Sequence, residues 1–409
     1  MLRTPMRWPN AWKDPSALAL LKSTAIDHLV IDKNPELDAV RAAARQAGIE
    51  ASAPDAAPAG VAVIKGEWPG VRMGRGSGGA AAGGPTGVPW VDSNGWSVRL
   101  AAAMNPQSAV WVDAAPPANF RLPAGLYLTA IADSAAHGGR WVIALDPQLT
   151  DGIAAAKSDA LATWKSIAGA AGFFAAHQEW SGYSSSAVAA VVSDFSGENE
   201  FFSREMLNLL ARAGLHYRIV LKKAPTGFKG LRAAIYADTE APAEALRKQL
   251  LAFVQNGGLL ITVPKWGETP GTLAKGDPHP RYAMRDFGKG RIAIAKETPG
   301  DPFEMAQDAA EIISHRYDLV RFWNGGATGS FLAAAPDGKS AVAHLLFYSN
   351  RGPDMASVRI VGPWRRVQVC TVDAPRLPNV EVQLQKDALE LHLPQVPQYV
   401  AVELSGGPA

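Results

Sequence analysis

A single cysteine, Cys370, stands in a chain of 409 residues. An intrachain disulfide and any cysteine-based metal cluster are therefore excluded. Charge of one sign is also missing. Forty Lys and Arg oppose 38 Asp and Glu, a net charge of +2, and no long basic run supplies the footprint of a nucleic-acid binder. The eight histidines show neither HExxH nor a paired-ligand spacing, so no metal and no organic cofactor is expected. No apolar stretch approaches the ~20 residues of a membrane span, and a membrane partner is not expected. The N-terminal MLRTPMRWPNAWKDPS lacks the apolar centre of a signal peptide. A cytoplasmic location is one expectation, and a secreted or periplasmic one, with its leader outside this sequence, is the other. A GxSxG elbow is absent, which argues against an esterase. The glycine-rich loop 68–87 fits neither GxxxxGK[ST] nor a helix-opening GxGxxG. It reads as a loop over a cleft rather than a phosphate cradle.

What is present is ordinary globular composition, 47% hydrophobic and 19% charged, in a chain long enough for two or three domains. The 39 glycines and 30 prolines imply many loops. From residue 1 to about 183, short apolar strands alternate with helices: HLVID (28–32), VAVIKG (61–66), VPWVD (88–92), AVWVD (109–113) and RWVIALD (140–146). The helices fall at PELDAVRAAARQAG, at WSVRLAAAM, near 125–137, and in one longer stretch from Thr150 to Trp180. That alternation predicts a parallel sheet. A full eightfold barrel takes ~250 residues, so a shortened or degenerate (β/α) TIM-like barrel is the reading.

Residues 184–314 continue strand–helix–strand: AVAAVVS, the loop DFSGENE, FFSREMLNLLARAG, HYRIVL, LRAAIYA, PAEALRKQLLAFVQNGG and LLITV, then a Gly-Lys-Gly hairpin in YAMRDFGKGRIAIAKE. Residues 315–409 alternate with period two between turn residues, which predicts an antiparallel β-sandwich. The segment LRAAIYADTEAPAEALRKQLLAFVQNGGLLITV, the FGKGRIAIA hairpin and the ending LPQVPQYVAVEL together resemble bacterial β-galactosidases and related glycoside hydrolases. In that family a glutamine-amidotransferase-like, flavodoxin-like domain follows the barrel and precedes a β-sandwich. The resemblance covers roughly 187–404. It implies a carbohydrate substrate and, because that middle domain mediates trimer contacts in the family, a homo-oligomer. Amidotransferase chemistry is not expected, since it requires a nucleophilic cysteine and residues 184–314 contain none.

Glycoside hydrolysis needs two carboxyl groups, one acid and one nucleophile or base. In a barrel the strand C-termini converge on one mouth. Four acids sit at or just past such ends: Asp92, Glu67, Asp113 and Asp146. Asp92 and Glu67 are the leading pair. Each also has a structural reading as a helix cap or turn residue, and that reading takes Asp32 and applies to Asp146 before Pro147. Nine of the twelve tryptophans precede residue 181. Indoles stack on sugar faces but also fill cores. Trp111 and Trp141 read as core. Trp68 and Trp96 read as sugar platforms, with Asn94, Trp180 and Glu179 as further substrate contacts. Lys222-Lys223 reads as a solvated edge, and Glu198 and Glu200 as complements to a helix dipole. The functional expectation is a glycoside hydrolase acting on an oligosaccharide or glycoside through paired carboxylates. The alternative is a non-catalytic carbohydrate-binding or assembly protein on the same architecture.

Overall fold

The computed structural model describes residues 3–75, 81–85, 91–116, 121–225, 227–276, 279–348, 355–394 and 397–406. Of the expected strand at 88–92 only 91 and 92 are among them, and the expected loop 68–87 is described at 68–75 and 81–85, where Val71–Arg75 and Ala81–Pro85 pair antiparallel as a two-stranded hairpin. The chain divides into two compact units. Unit 1 comprises Met1–Ser184, Phe322–Val358 and Pro363–Ala409, and unit 2 comprises Ser185–Arg321 and Arg359–Gly362.

Unit 1 begins with six parallel strands: β1 (Pro5–Arg7), β2 (His28–Val30), β3 (Glu50–Ser52), β4 (Val61–Lys65), β5 (Ala109–Asp113) and β6 (Arg140–Trp141). β1-β2-β3 form one sheet and β4-β5-β6 another. They are stitched just past β6, where the Arg7 N–H donates to the Ile143 carbonyl (2.9 Å) and the Ile143 N–H to the Pro5 carbonyl (3.0 Å). Strand order is thus sequential around the array, and among the described residues no ladder joins β3 to β4. β1 and β3 were not legible in the sequence. Each has only three residues, below the length at which alternation can be recognised.

Alternation sorts the strand residues by face. Met6, Leu29, Val110, Val112, Trp141 and Ile143 join one large core. Val30, Trp111 and Val142 form a separate cluster, and Asp113, two residues beyond Trp111, shares its face. The helices are α1 (Asp38–Gln46), α2 (Gly95–Met104), α3 (Ala124–Ala136), α4 (Pro147–Ala154) and α5 (Ser158–Ala176). The single long helix expected before Trp180 is two, because Ala156 adopts a left-handed φ of 51° that a right-handed helix cannot include. In α3, AGLYLTAIADSAA is buried continuously from Leu126 to Ala136, as befits a helix apolar on every side.

Unit 2 holds one seven-stranded sheet. Its strands are β7 (Ala189–Ser193), β8 (Tyr217–Leu221), β9 (Ala233–Tyr236), β10 (Leu259–Thr262), β11 (Thr272–Leu273), β12 (Tyr282–Phe287) and β13 (Gly290–Ala295). Their order is β8-β7-β9-β10-β13-β12-β11, parallel as far as β13 and antiparallel beyond it. Helices α6 (Glu200–Arg212), α7 (Glu244–Gln255) and α8 (Pro302–Ile313) complete the unit. Leu246, Leu250 and Val254 of α7 recur every fourth residue and pack with Ala234, Leu260 and Ile292 of the sheet. The hairpin β12–β13 crowds the end of α7. A Cβ at Gly290 would collide with the carbonyls of Gly258 and Val254, so only glycine fits that approach.

The chain then returns to unit 1 with β14 (Thr328–Ala334), β15 (Ser340–Phe347), β16 (Arg366–Cys370), β17 (Glu381–Leu384), β18 (Ala388–Leu393) and β19 (Tyr399–Ser405). β16-β19-β15-β14 run antiparallel side by side, and β17 pairs antiparallel with β18. Phe331, Val342, Leu346, Tyr348, Tyr399 and Ala401 belong to the same hydrophobic core as Tyr127, Ile131 and Trp180. The C-terminal strands therefore share a core with the first 184 residues.

Candidate functional site: acids at the strand ends of unit 1

Four of the parallel strands end in polar chemistry. Arg7 closes β1 and Asp113 closes β5, and the Arg7 Nη2 meets the Asp113 Oδ2 at 2.5 Å. This pair is partly shielded from water, with side chains 31% and 25% exposed. Asp113 Oδ1 and Arg7 Nε are buried without a partner among the described groups. Lys65 closes β4 in register with Asp113 and is exposed. Asp32, past β2, accepts a hydrogen bond from the Asn10 amide at 2.5 Å.

Glu67 and Asp92 both lie at the surface, and the backbone segments bearing them run side by side. Asn94 makes this so. Its Oδ1 accepts from the Glu67 N–H (2.9 Å), and its Nδ2 donates to the Glu67 carbonyl (2.9 Å). One side-chain amide thereby imitates a strand partner. Two residues earlier, the Asp92 carbonyl accepts from the Gly70 N–H at 3.4 Å. Gly66 permits this approach. A Cβ there would collide with Val112 Cγ1 and stand 3.2 Å from the Asn94 Oδ1.

Asn94 is itself braced from below. Its N–H and Nδ2 donate to the Asp133 Oδ2 at 2.8 and 3.2 Å, and the Tyr348 hydroxyl donates to the Asp133 Oδ1 at 2.7 Å. Asp133 is fully buried in α3. Burial pushes its carboxyl up to about 6, against the pull of the Tyr348 and Asn94 bonds. The same burial holds the neighbouring His137 down at about 4. Tyr348, Asp133 and Asn94 thus form a buried chain ending at the Glu67 backbone. Asn94 was expected to touch substrate. It is 3% exposed and its amide is engaged by the protein on both sides.

The remaining expected residues separate clearly. Asp146 is completely buried and caps α4: its Oδ1 accepts from the Leu149 N–H (2.9 Å), and its Oδ2 from the Tyr127 hydroxyl (2.9 Å) and the Leu122 N–H (3.2 Å). Its place in the fold is structural, as the Asp-Pro start of a helix allows. Asp146→Ala is expected to lower unfolding stability by about 2 kcal/mol, measurable by urea denaturation. Trp68 is 8% exposed, not an open platform. Its Nε1 donates to the Ala115 carbonyl at 2.9 Å, and its ring meets Tyr127 and Trp141 edge-on at 5.2 and 5.0 Å. Trp180 is likewise core, stacked on His177 at 4.2 Å and edge-on to His344 at 5.5 Å. Trp96 is half-buried at the start of α2, and Glu179 is exposed. Trp111 and Trp141 are buried, at 1% and 2%.

Arg7, Asp133 and Tyr348 were missed. A lone acid inside AGLYLTAIADSAA was the available signal for Asp133, since an unpaired carboxylate is not tolerated in such a helix. Arg7 and Tyr348 offered none, because their partners are distant in sequence.

In unit 2, Lys222 is not a solvated edge. It is 16% exposed and contacts the buried Asp238 carboxylate at 2.7 Å, with Asp194 and Glu240 at 3.9 and 4.0 Å. These groups lie past β7, β8 and β9, where the strand order reverses and open α/β sheets bind ligands. Phe195 there has φ 54°. The lysine is the counter-charge to the buried Asp238 carboxylate.

No protein-family model matches the chain, and no curated protein matches it in sequence. Solved structures do. An α-L-fucosidase (isoenzyme 2) from Paenibacillus thiaminolyticus aligns over 76% of this chain and 62% of its own, at 13% identity and a TM-score of 0.51. A rhamnosidase from Novosphingobium sp. PP1Y aligns over 97% of this chain and 38% of its own, at 12% identity and a TM-score of 0.51. A β-galactosidase from Bacillus circulans sp. alkalophilus aligns over 75% and 61%, at 9% identity and a TM-score of 0.46. The chain therefore spans less than two thirds of the length of each. It is an α/β multidomain protein whose fold is similar to that of solved glycoside hydrolases.

Proposed function

We propose that the chain is a glycoside hydrolase acting on an oligosaccharide or glycoside, with Glu67 and Asp92 as its pair of carboxyl groups. The observation that carries this reading is the bonding of the Glu67 backbone by Asn94, two residues after Asp92, which joins the two segments bearing these surface acids just past β4. One would protonate the leaving oxygen, and the other would act as nucleophile or base. Asp113, held by Arg7, would bind a sugar hydroxyl or stabilise positive charge developing on the ring. Half-buried Trp96, on the helix that Asn94 begins, would offer an apolar face to the sugar. Within this reading, residues 1–183 are a shortened (β/α) barrel, 184–314 an amidotransferase-like domain without its nucleophile, and 315–409 a β-sandwich. The likeness in fold to a fucosidase and a rhamnosidase supports the reaction class at the level of architecture.

A second reading has its own observation. Among the described residues of 1–183, six parallel strands are present and no ladder joins β3 to β4. That arrangement suits a carbohydrate-binding or assembly protein that keeps the architecture without the reaction. A screen of the full chain against chromogenic aryl glycosides and natural polysaccharides tests the choice. Hydrolysis that disappears in Glu67→Ala and Asp92→Ala supports the enzyme. Sugar binding without hydrolysis of any substrate supports the binding protein.

A further inference from the structure

Unit 2 contains a cavity of about 310 Å³, far in sequence from the strand-end acids and bounded by the start of β12, the end of β13 and the first half of α8. Arg281, Tyr282, Lys296, Glu304 and Asp308 are among its lining residues. At its edge, His279, Asp308 and Glu311 each present one ligand atom, and the three atoms lie within 4.8 Å of one another. Asp308 and Glu311 are three residues apart on α8, so both project from one face. His279 comes from the segment that enters β12.

Several features adapt this cluster to a cation. The His279 Nε2 stands 3.9 Å from the Asp308 Oδ1. That is too far for a hydrogen bond, and it is a gap that an ion with bonds of about 2.1 Å closes with a small side-chain shift. Asp308 is 2% exposed and is oriented by Arg281, whose Nε donates to Oδ2 at 2.7 Å and whose Nη2 pairs with Oδ1. A carboxylate offers about four lone-pair sites, so the guanidinium leaves room for a metal bond on Oδ1. Lys296 donates to the carbonyls of His279 and Pro280 at 3.1 and 3.0 Å, fixing the segment that carries the imidazole. The Nδ1 accepts from the Arg281 N–H at 3.3 Å. Metal binding at Nε2 moves the ring proton to Nδ1 and gives up that long contact.

We propose that His279, Asp308 and Glu311 form a divalent-cation site opening on this cavity. One imidazole and two carboxylates are borderline ligands suited to zinc, and three protein ligands leave a fourth position for water or a bound molecule. Sequence spacing could not reveal it. The histidine and the acids lie 29 and 32 residues apart (308 − 279 and 311 − 279), and only the fold of α8 against β12 brings them together.

The test is calorimetric titration of zinc chloride into the untagged full chain after chelator treatment, paralleled by the visible absorption of the cobalt(II) form. One equivalent is expected to bind. His279→Ala is expected to weaken binding on the order of 100-fold and Glu311→Gln about 10-fold, while His315→Ala, at a separate His–Asp pair, leaves it unchanged. Glu311 is exposed, so its variant retains the fold. The absence of saturable zinc binding, or equal affinity in the wild type and His279→Ala, would overturn the proposal.

Discussion

Glu67→Gln and Asp92→Asn are each expected to reduce kcat for glycoside hydrolysis by about 10²–10⁴-fold, the range set by loss of one acid–base or nucleophilic group. KM is expected to change little. Both substitutions keep the shape of the side chain, and the Asn94 bridge holds the Glu67 segment through its backbone rather than its carboxylate. Initial rates of the purified variants on a substrate from the glycoside screen provide the measurement. Wild-type rates in both variants would remove Glu67 and Asp92 from the reaction. A comparable loss in Asp113→Asn alone would move the chemistry to the Arg7–Asp113 pair.

The second large effect concerns Asp133 and appears as a pH dependence of stability. The unfolded carboxyl titrates near 3.9, and in the folded protein burial raises it to about 6. Between those values the folded state binds the extra proton. The stabilisation is fully present below about pH 4 and is lost as pH rises through about 6. The total is on the order of 3 kcal/mol, the linkage equivalent of about two pH units. Asp133→Asn is expected to abolish this component. An asparagine can keep its oxygen toward Asn94 and turn its NH₂ to the Tyr348 oxygen, so its contacts survive without the ionisation. Chemical denaturation of both proteins across that pH range gives the difference directly. A difference that stays flat, or one in which the wild type gains stability relative to the variant as pH rises, would contradict this role.

The same residue shows where sequence reading reached and where it stopped. The unit 2 strands were legible, since Ala189–Ser193, Tyr217–Leu221, Ala233–Tyr236 and Leu259–Thr262 are apolar runs bounded by turn residues. In unit 1, Val61–Lys65 and Ala109–Asp113 were legible for the same reason. Pro5–Arg7 and Glu50–Ser52 are too short to show a period, and their pairing comes from tertiary context. The candidate acids could be named from the sequence because an acid following an apolar run is a local feature. Their support was not legible, because Asn94 reaches Glu67 across 27 residues and Tyr348 reaches Asp133 across 215. Trp68 and Trp180 illustrate the opposite limit. Position in a loop or at a helix end says nothing about burial, and both indoles found core partners.

The most direct measurement of the catalytic assignment is a crystal structure of Glu67→Gln soaked with the substrate found in the glycoside screen. The expected result places the glycosidic oxygen or the anomeric carbon between residue 67 and Asp92, with carboxyl separations of about 5–5.5 Å for retention or about 6.5–9.5 Å for inversion. A sugar bound away from both residues, with the two side chains turned to solvent on either side of an empty surface, would contradict it.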